Sequence, residues 1–142
     1  MEIWEMTAVS IGERIRQGEF TSEEAVRSFL DRAEKEEGRI HAFVRLDGDA
    51  AVKRAKEVDQ GIREGRYTGP LAGVPVAVKD NICTRGIPTT CCSKILANFV
   101  PPYSATAAEL LEQAGAVVLG KTNMDEFAMG STTETSYFGP TR

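Results

Sequence analysis

The sequence predicts an α/β fold: N-terminal helices followed by part of a mixed, largely parallel sheet flanked by helices. Three observations predict it. Apolar residues recur at helical spacing in three segments within the first 62 positions. Val74, Val76 and Val78 then alternate with Pro75 and Ala77, an unbroken apolar run expected of a strand covered on both faces. A helical segment and a short apolar strand, Ala116 to Leu119, follow in the order of a crossover between parallel strands. On this reading residues 1–66 form a mainly helical layer and residues 67–142 a sheet segment, both within one domain.

Each element has a local cause. Ile11 and Ile15 lie four apart and Gly18 stops the chain, so a first helix spans Ser10 to Gln17. Thr21 and Glu24 form a T-x-x-E capping box for a second helix that ends near Gly38, with Val26, Phe29, Leu30 and Ala33 as its buried stripe. Ile40 to Leu46 alternates as a strand or extended segment. Asp47 or Asp49 caps a third helix whose inner face is Ala51, Val52, Ala55, Val58 and Ile62. From Ile82 to Pro102, glycines and prolines break the pattern, leaving a long loop with one helical turn between Cys92 and Ala97. Ser104 caps a fourth helix, with Ala107, Leu110, Leu111 and Ala114 inward and Gly115 after it. Asn123 caps a short helix with Glu126 at its third position.

Lys79 ends the Val74–Val78 run. Side chains two apart share a strand face, so Lys79 lies with Pro75 and Ala77 on a small, apolar face at the strand's C-terminal end, where open α/β sheets place their chemistry. A lysine withdrawn from water pairs with a carboxylate or loses its proton and becomes a base. Asp80 points to the opposite face unless the chain turns there. On pattern alone, a strand-end lysine reaching solvent is the commoner outcome.

The 142 residues are 42% hydrophobic and 27% charged, with a formal net charge of −4, which fits one globular domain and argues against a stand-alone nucleic-acid binder. No apolar run is long enough to span a bilayer. Cys83, Cys91 and Cys92 fit reduced thiols rather than a disulfide framework. With His41 far off in sequence, no metal site is expected. His41 itself has no neighbour in sequence to orient it for catalysis and reads as a surface histidine. Gly115 to Thr122, GAVVLGKT, satisfies the phosphate-loop pattern, but that motif needs a strand before its first glycine and a loop between its glycines. Here a helix precedes Gly115 and a strand fills the interval, so nucleotide binding is rejected. Lys121 then reads as a strand-end lysine at the same sheet edge as Lys79.

GPLAGVPVAVKDN, residues 69–81, and GAVVLGKTNMDEFAMGSTTETSYFGPTR, residues 115–142, resemble the amidase signature family. Within it the second stretch resembles the glutamine-hydrolysing A subunits of tRNA-dependent amidotransferases, and the similarity extends more weakly over most of the chain, including Pro88 to Thr90 and Val100 to Thr106. The Cys91–Cys92 pair departs from the small residues of the pattern. The resemblance implies that residues 1–142 are the N-terminal part of a single, incomplete amidase-signature domain. It makes Lys79 the base of a Ser–cis-Ser–Lys triad and overturns the solvent reading. Ser93, Ser104, Ser131 and Ser136 lack the expected Gly/Ser-rich context, which puts both serines beyond Arg142 and makes the chain inactive alone.

By the same resemblance Met129, Gly130 and Ser131 line a glutamine pocket. Gly130 allows close approach and Met129 packs on the substrate stem; the alternative is that Phe127 and Met129 close the sheet edge. Asp125 and Glu126 are either polar pocket residues or helix-start charges. The resemblance also implies B and C subunits as partners, tRNA contacted mainly through B, ATP and magnesium in B, no cofactor in this chain, and a glutamyl or aspartyl acceptor. The expected compartment is the cytoplasm, with an organelle left open. Two other readings stand: another amidase-signature hydrolase of small amides, and a non-catalytic, partner-binding piece with an exposed apolar sheet surface.

Overall fold

The computed structural model describes residues 2–142. Contacts divide the chain into two compact units that interleave in sequence. The first comprises Met1–Lys35, Asp47–Val76 and Leu110–Leu119; the second comprises Glu36–Leu46, Ala77–Glu109 and Gly120–Arg142. The elements are α1 (Ala8–Gln17), α2 (Ser22–Ile40), β1 (Phe43–Leu46), α3 (Gly48–Arg63), β2 (Pro75–Lys79), α4 (Thr106–Gln113) and β3 (Val117–Thr122). Among the described residues no helix is long and apolar enough to cross a membrane.

In the first unit Ile11, Ile15, Ala25 and Val74 are buried together, with Phe20, Phe29 and Ile62 packed against them. Helix α1 begins two residues earlier than its apolar spacing predicts, because Thr7 accepts a hydrogen bond from the Ser10 amide. The capping box of α2 forms as expected: Glu24 Oε2 accepts from the Thr21 amide at 2.7 Å, and Thr21 Oγ1 accepts from the Glu24 amide at 3.1 Å. A second, distant cap was not legible. Asp59 of α3 is buried and accepts from the amides of Ser22 (2.7 Å) and Glu23 (3.0 Å) at the start of α2. Asp59→Ala leaves those amides unpaired away from water, and is expected to cost about 1–3 kcal/mol in thermal or denaturant unfolding.

The three-stranded sheet has the order β1-β3-β2. Strands β2 and β3 are parallel, with bonds ascending from Gly73–Gly115 (2.9 Å) in the first unit to Asp80–Thr122 (3.1 Å) in the second. Strand β1 runs antiparallel to β3, pairing Leu46 with Gly120 and Phe43 with Thr122 across a bulge. The sheet is therefore mixed α/β, as predicted. A Cβ on Gly120 would stand 2.1 Å from the Arg45 carbonyl oxygen, so only glycine lets β1 approach here. Gly120 thus serves strand pairing, in keeping with rejection of the phosphate loop.

Four expectations are corrected. Helix α2 continues past Gly38 to Ile40, and the strand is confined to Phe43–Leu46, the chain breaking at His41 with φ of 57°. The inner face of α4 is marked by buried Ala108, while Ala107 is exposed and Leu110 is 59% exposed; the helix sits rotated from its most hydrophobic stripe. Ser104 does not cap it but accepts from the Arg85 amide, bracing the preceding loop. Finally, β2 is not buried on both faces: Val74 and Val78 are buried, whereas Ala77 and Lys79 are exposed.

Candidate active site

The site lies in the second unit, around the end of β2. Lys79 is exposed, and its amine has no hydrogen bond or ion pair among the described residues. The chain turns at once, the Ile82 amide bonding the Lys79 carbonyl at 3.0 Å. Asp80 therefore points inward and is fully buried. Its backbone amide donates to the Thr122 carbonyl at 3.1 Å and its carbonyl accepts from the Cys91 amide at 2.9 Å. Its Oδ2 accepts from both the amide and the hydroxyl of Thr90, while Oδ1 has no partner among the described residues. Asp80 also lines a cavity of about 100 Å³ with Val44, Arg45, Pro88, Thr90, Ala97 and Phe138.

Lys121 corrects the strand-end reading. It lies inside β3 and is fully buried. Its Nζ donates to the Ile82 carbonyl, to Thr84 Oγ1 at 3.1 Å and to Thr89 Oγ1 at 3.1 Å. Burial lowers its pKa from the ordinary lysine value, and the carboxylate of Asp80 opposes that shift. A signal existed: Val117, Leu119 and Lys121 continue one period-2 face, and all three are buried.

Asn123 does not cap a helix. Its Oδ1 accepts from Ser136 Oγ at 2.6 Å and the Met124 amide at 3.0 Å, and its Nδ2 donates to the Gly139 carbonyl at 2.9 Å, fastening the C-terminal segment. The loop it precedes is organised by Asp125, which is 4% exposed. This carboxylate accepts from the amides of Thr132 (2.9 Å), Thr133 (2.8 Å) and Thr135 (3.1 Å) and from Thr135 Oγ1 (2.9 Å). These bonds, that from the Thr135 amide first, lower its pKa from 3.8 to about 2. Gly130 passes so close that a Cβ there would stand 2.6 Å from the Asp125 carboxyl carbon.

Met129, Gly130 and Ser131 all lie in this loop and are exposed, Met129 at 82%. Two non-glycine pairs adopt the left-handed region, Cys91–Cys92 (φ 50° and 49°) and Phe127–Ala128 (52° and 61°). The Phe127 amide bonds the Cys91 carbonyl at 3.0 Å, so each turn steadies the other. Strain of this kind concentrates at functional sites. Ser93, fully buried, donates to Glu126 Oε1 at 2.6 Å.

Residues 24–142 match the family model described as Amidase. The A subunit of the glutamyl-tRNA(Gln) amidotransferase of Lachnospira eligens is 54% identical over 142 residues, covering all of this chain and 30% of the relative. Its counterpart in Carboxydothermus hydrogenoformans is 52% identical over 142 residues, covering 29% of the relative. Among solved structures, a fatty acid amide hydrolase aligns with a TM-score of 0.91 at 25% identity, over 99% of this chain and 25% of that one. The native peptide amidase of Stenotrophomonas maltophilia aligns with a TM-score of 0.80 at 36% identity, over 87% of this chain and 26% of that one. The chain thus spans under a third of the length of the relatives it matches.

Proposed function

The chain belongs to the amidase family, and on that premise we propose that it is the N-terminal part of the glutaminase component of a tRNA-dependent amidotransferase. One observation carries the narrower reading. Identity to amidotransferase A subunits reaches 54% over the whole chain, and 49% for a less similar one, against 36% and 25% for the peptide amidase and the fatty acid amide hydrolase.

In this reading residues 1–142 are one part of a single amidase-signature domain, and Lys79 is its catalytic base. The uncharged amine accepts a proton relayed through a cis-peptide serine from a second serine, which attacks the amide carbon of glutamine. Ammonia leaves with the returned proton, and water then releases glutamate from the acyl-enzyme. Both serines belong to sequence that this chain does not contain. Met129, Gly130 and Ser131 face the substrate, on a loop whose shape Asp125 sets. Partner B and C subunits complete the assembly, the B subunit taking the ammonia, the tRNA, ATP and magnesium; the cytoplasm is the compartment. The acceptor is a glutamyl or aspartyl group on tRNA.

The competing reading is an amidase-family hydrolase of small amides, favoured by the fold match to the peptide amidase. Steady-state assays of the complete enzyme separate the two. Glutamine hydrolysis that rises on addition of charged tRNA and the B subunit supports the amidotransferase; full activity alone on simple amides overturns it. The 142-residue chain is expected to release no ammonia from glutamine, since among the described residues no serine bonds the Lys79 amine. Turnover by a pure sample, measured as ammonia release, would contradict the proposed triad.

A further inference from the structure

We propose that Lys121 is a positioning residue for the amine of Lys79, acting through the loop that leaves β2. The inference rests on the reading of Lys79 as the base. Lys79 is followed by a turn in which the Ile82 amide bonds the Lys79 carbonyl at 3.0 Å. The carbonyl of that same Ile82 accepts from Lys121 Nζ. The other two bonds of Nζ go to Thr84 and Thr89, at 3.1 Å each. An ammonium group has three donors, and here three points of one loop take all of them. Thr84 Oγ1 donates in turn to the Ile82 carbonyl, and Thr89 Oγ1 to the Ile87 carbonyl, both at 3.1 Å. Beside Lys121, the Thr122 carbonyl holds the Asp80 amide at 3.1 Å. Two consecutive residues of β3 therefore grip the chain on the C-terminal side of Lys79, one by its backbone and one by its side chain.

The choice of lysine argues for geometry over stability. Thr84, Thr89 and Lys121 are 0%, 2% and 0% exposed. A buried charge is a poor stabiliser compared with an apolar residue of similar volume. An apolar side chain at position 121 would fill the same space but could not tie Ile82, Thr84 and Thr89 together. Small errors in the placement of a catalytic group cost a large share of its rate. A positioning role therefore makes turnover depend on a buried amine that never meets the substrate.

The test uses the complete enzyme containing this segment, with Lys121→Met and Lys121→Ala compared with wild type and Lys79→Ala. Lys121→Met is expected to lower kcat about 100-fold with KM for glutamine within about threefold. In Lys121→Ala, added ethylammonium is expected to restore at least about tenfold of the lost rate by occupying the vacated amine position, while leaving wild type unchanged. Amide hydrogen exchange gives a readout independent of activity: in Lys121→Met the Ile82 amide is expected to exchange at least about tenfold faster, with the α1 amides unaffected. Unchanged Ile82 exchange overturns the proposal, as does a kcat loss no larger than the loss of folded protein. Full turnover by Lys79→Ala instead overturns the reading of Lys79, and the exchange result still decides whether Lys121 fixes the loop.

Discussion

Lys79→Ala in the complete enzyme is expected to lower kcat for glutamine hydrolysis by about 10³-fold or more, with KM little changed. The amine is asked to accept a proton, not to bind the substrate, so its loss raises the barrier without weakening the ground-state complex. Lys79→Arg is expected to fail as badly, because a guanidinium stays protonated and has no lone pair to offer. In the present chain Ala77 and Lys79 are exposed on one face of β2, whereas it is burial and hydrogen bonding that make a lysine usable as a base. The proposed mechanism therefore requires that face to be covered in the complete enzyme. Steady-state glutaminase assays check the prediction, and a variant keeping more than about a tenth of wild-type turnover would remove Lys79 from the mechanism.

Asp125→Ala is expected to reduce glutaminase activity about 100-fold, as a rise in KM together with a fall in kcat. Removing the carboxylate releases the amides of Thr132, Thr133 and Thr135 together with the Thr135 hydroxyl. The segment bearing Met129, Gly130 and Ser131 then loses the anchor around which it is folded. The same carboxylate predicts an acid response. Its folded pKa of about 2 lies below the ordinary 3.8. The contribution to stability is thus complete above about pH 3.8 and lost as pH falls through 2. Amide NMR signals of the three threonines should shift together across that window in the wild-type chain and be insensitive to it in Asp125→Asn. Independent titration of the three amides, or none, would refute the anchoring role. Asp125 was open to two readings in the sequence, and neither was this one. Local pattern shows a charge near a helix start, whereas the partners arrive seven to ten residues later from an STTET stretch.

What the sequence revealed and what it hid follow the same division. The capping box of α2, the α3 cap at one of two nearby aspartates (Asp47, which accepts from the Ala50 amide at 3.1 Å) and the parallel β2–β3 crossover were legible because each is written in neighbouring residues or in one period. The face of α4 and the Asp59 cap depend on elements far apart in the chain. Lys79 is proposed as the base on resemblance alone; its strand favoured a solvent-exposed lysine, and exposed is how it stands here. Lys121, read as a strand-end residue once the phosphate loop was rejected, is the lysine that is actually withdrawn from water. Burial could have been inferred by extending the Val117 and Leu119 face two residues further.

Each compact unit is assembled from three segments that are separated in the chain, the first closing with Leu110–Leu119 and the second with Gly120–Arg142. During synthesis, then, the helices near the amino end must wait for a strand more than eighty residues downstream of the start of α2 before their unit can complete. Closing loops of that span carries an entropic penalty ahead of any reward from contact. The cluster of Ile11, Ile15, Ala25 and Val74 can close early, whereas the Val74 carbonyl, which accepts from the Val117 amide in the finished unit, marks a strand edge left unpaired over that interval, the kind of surface expected to recruit chaperones.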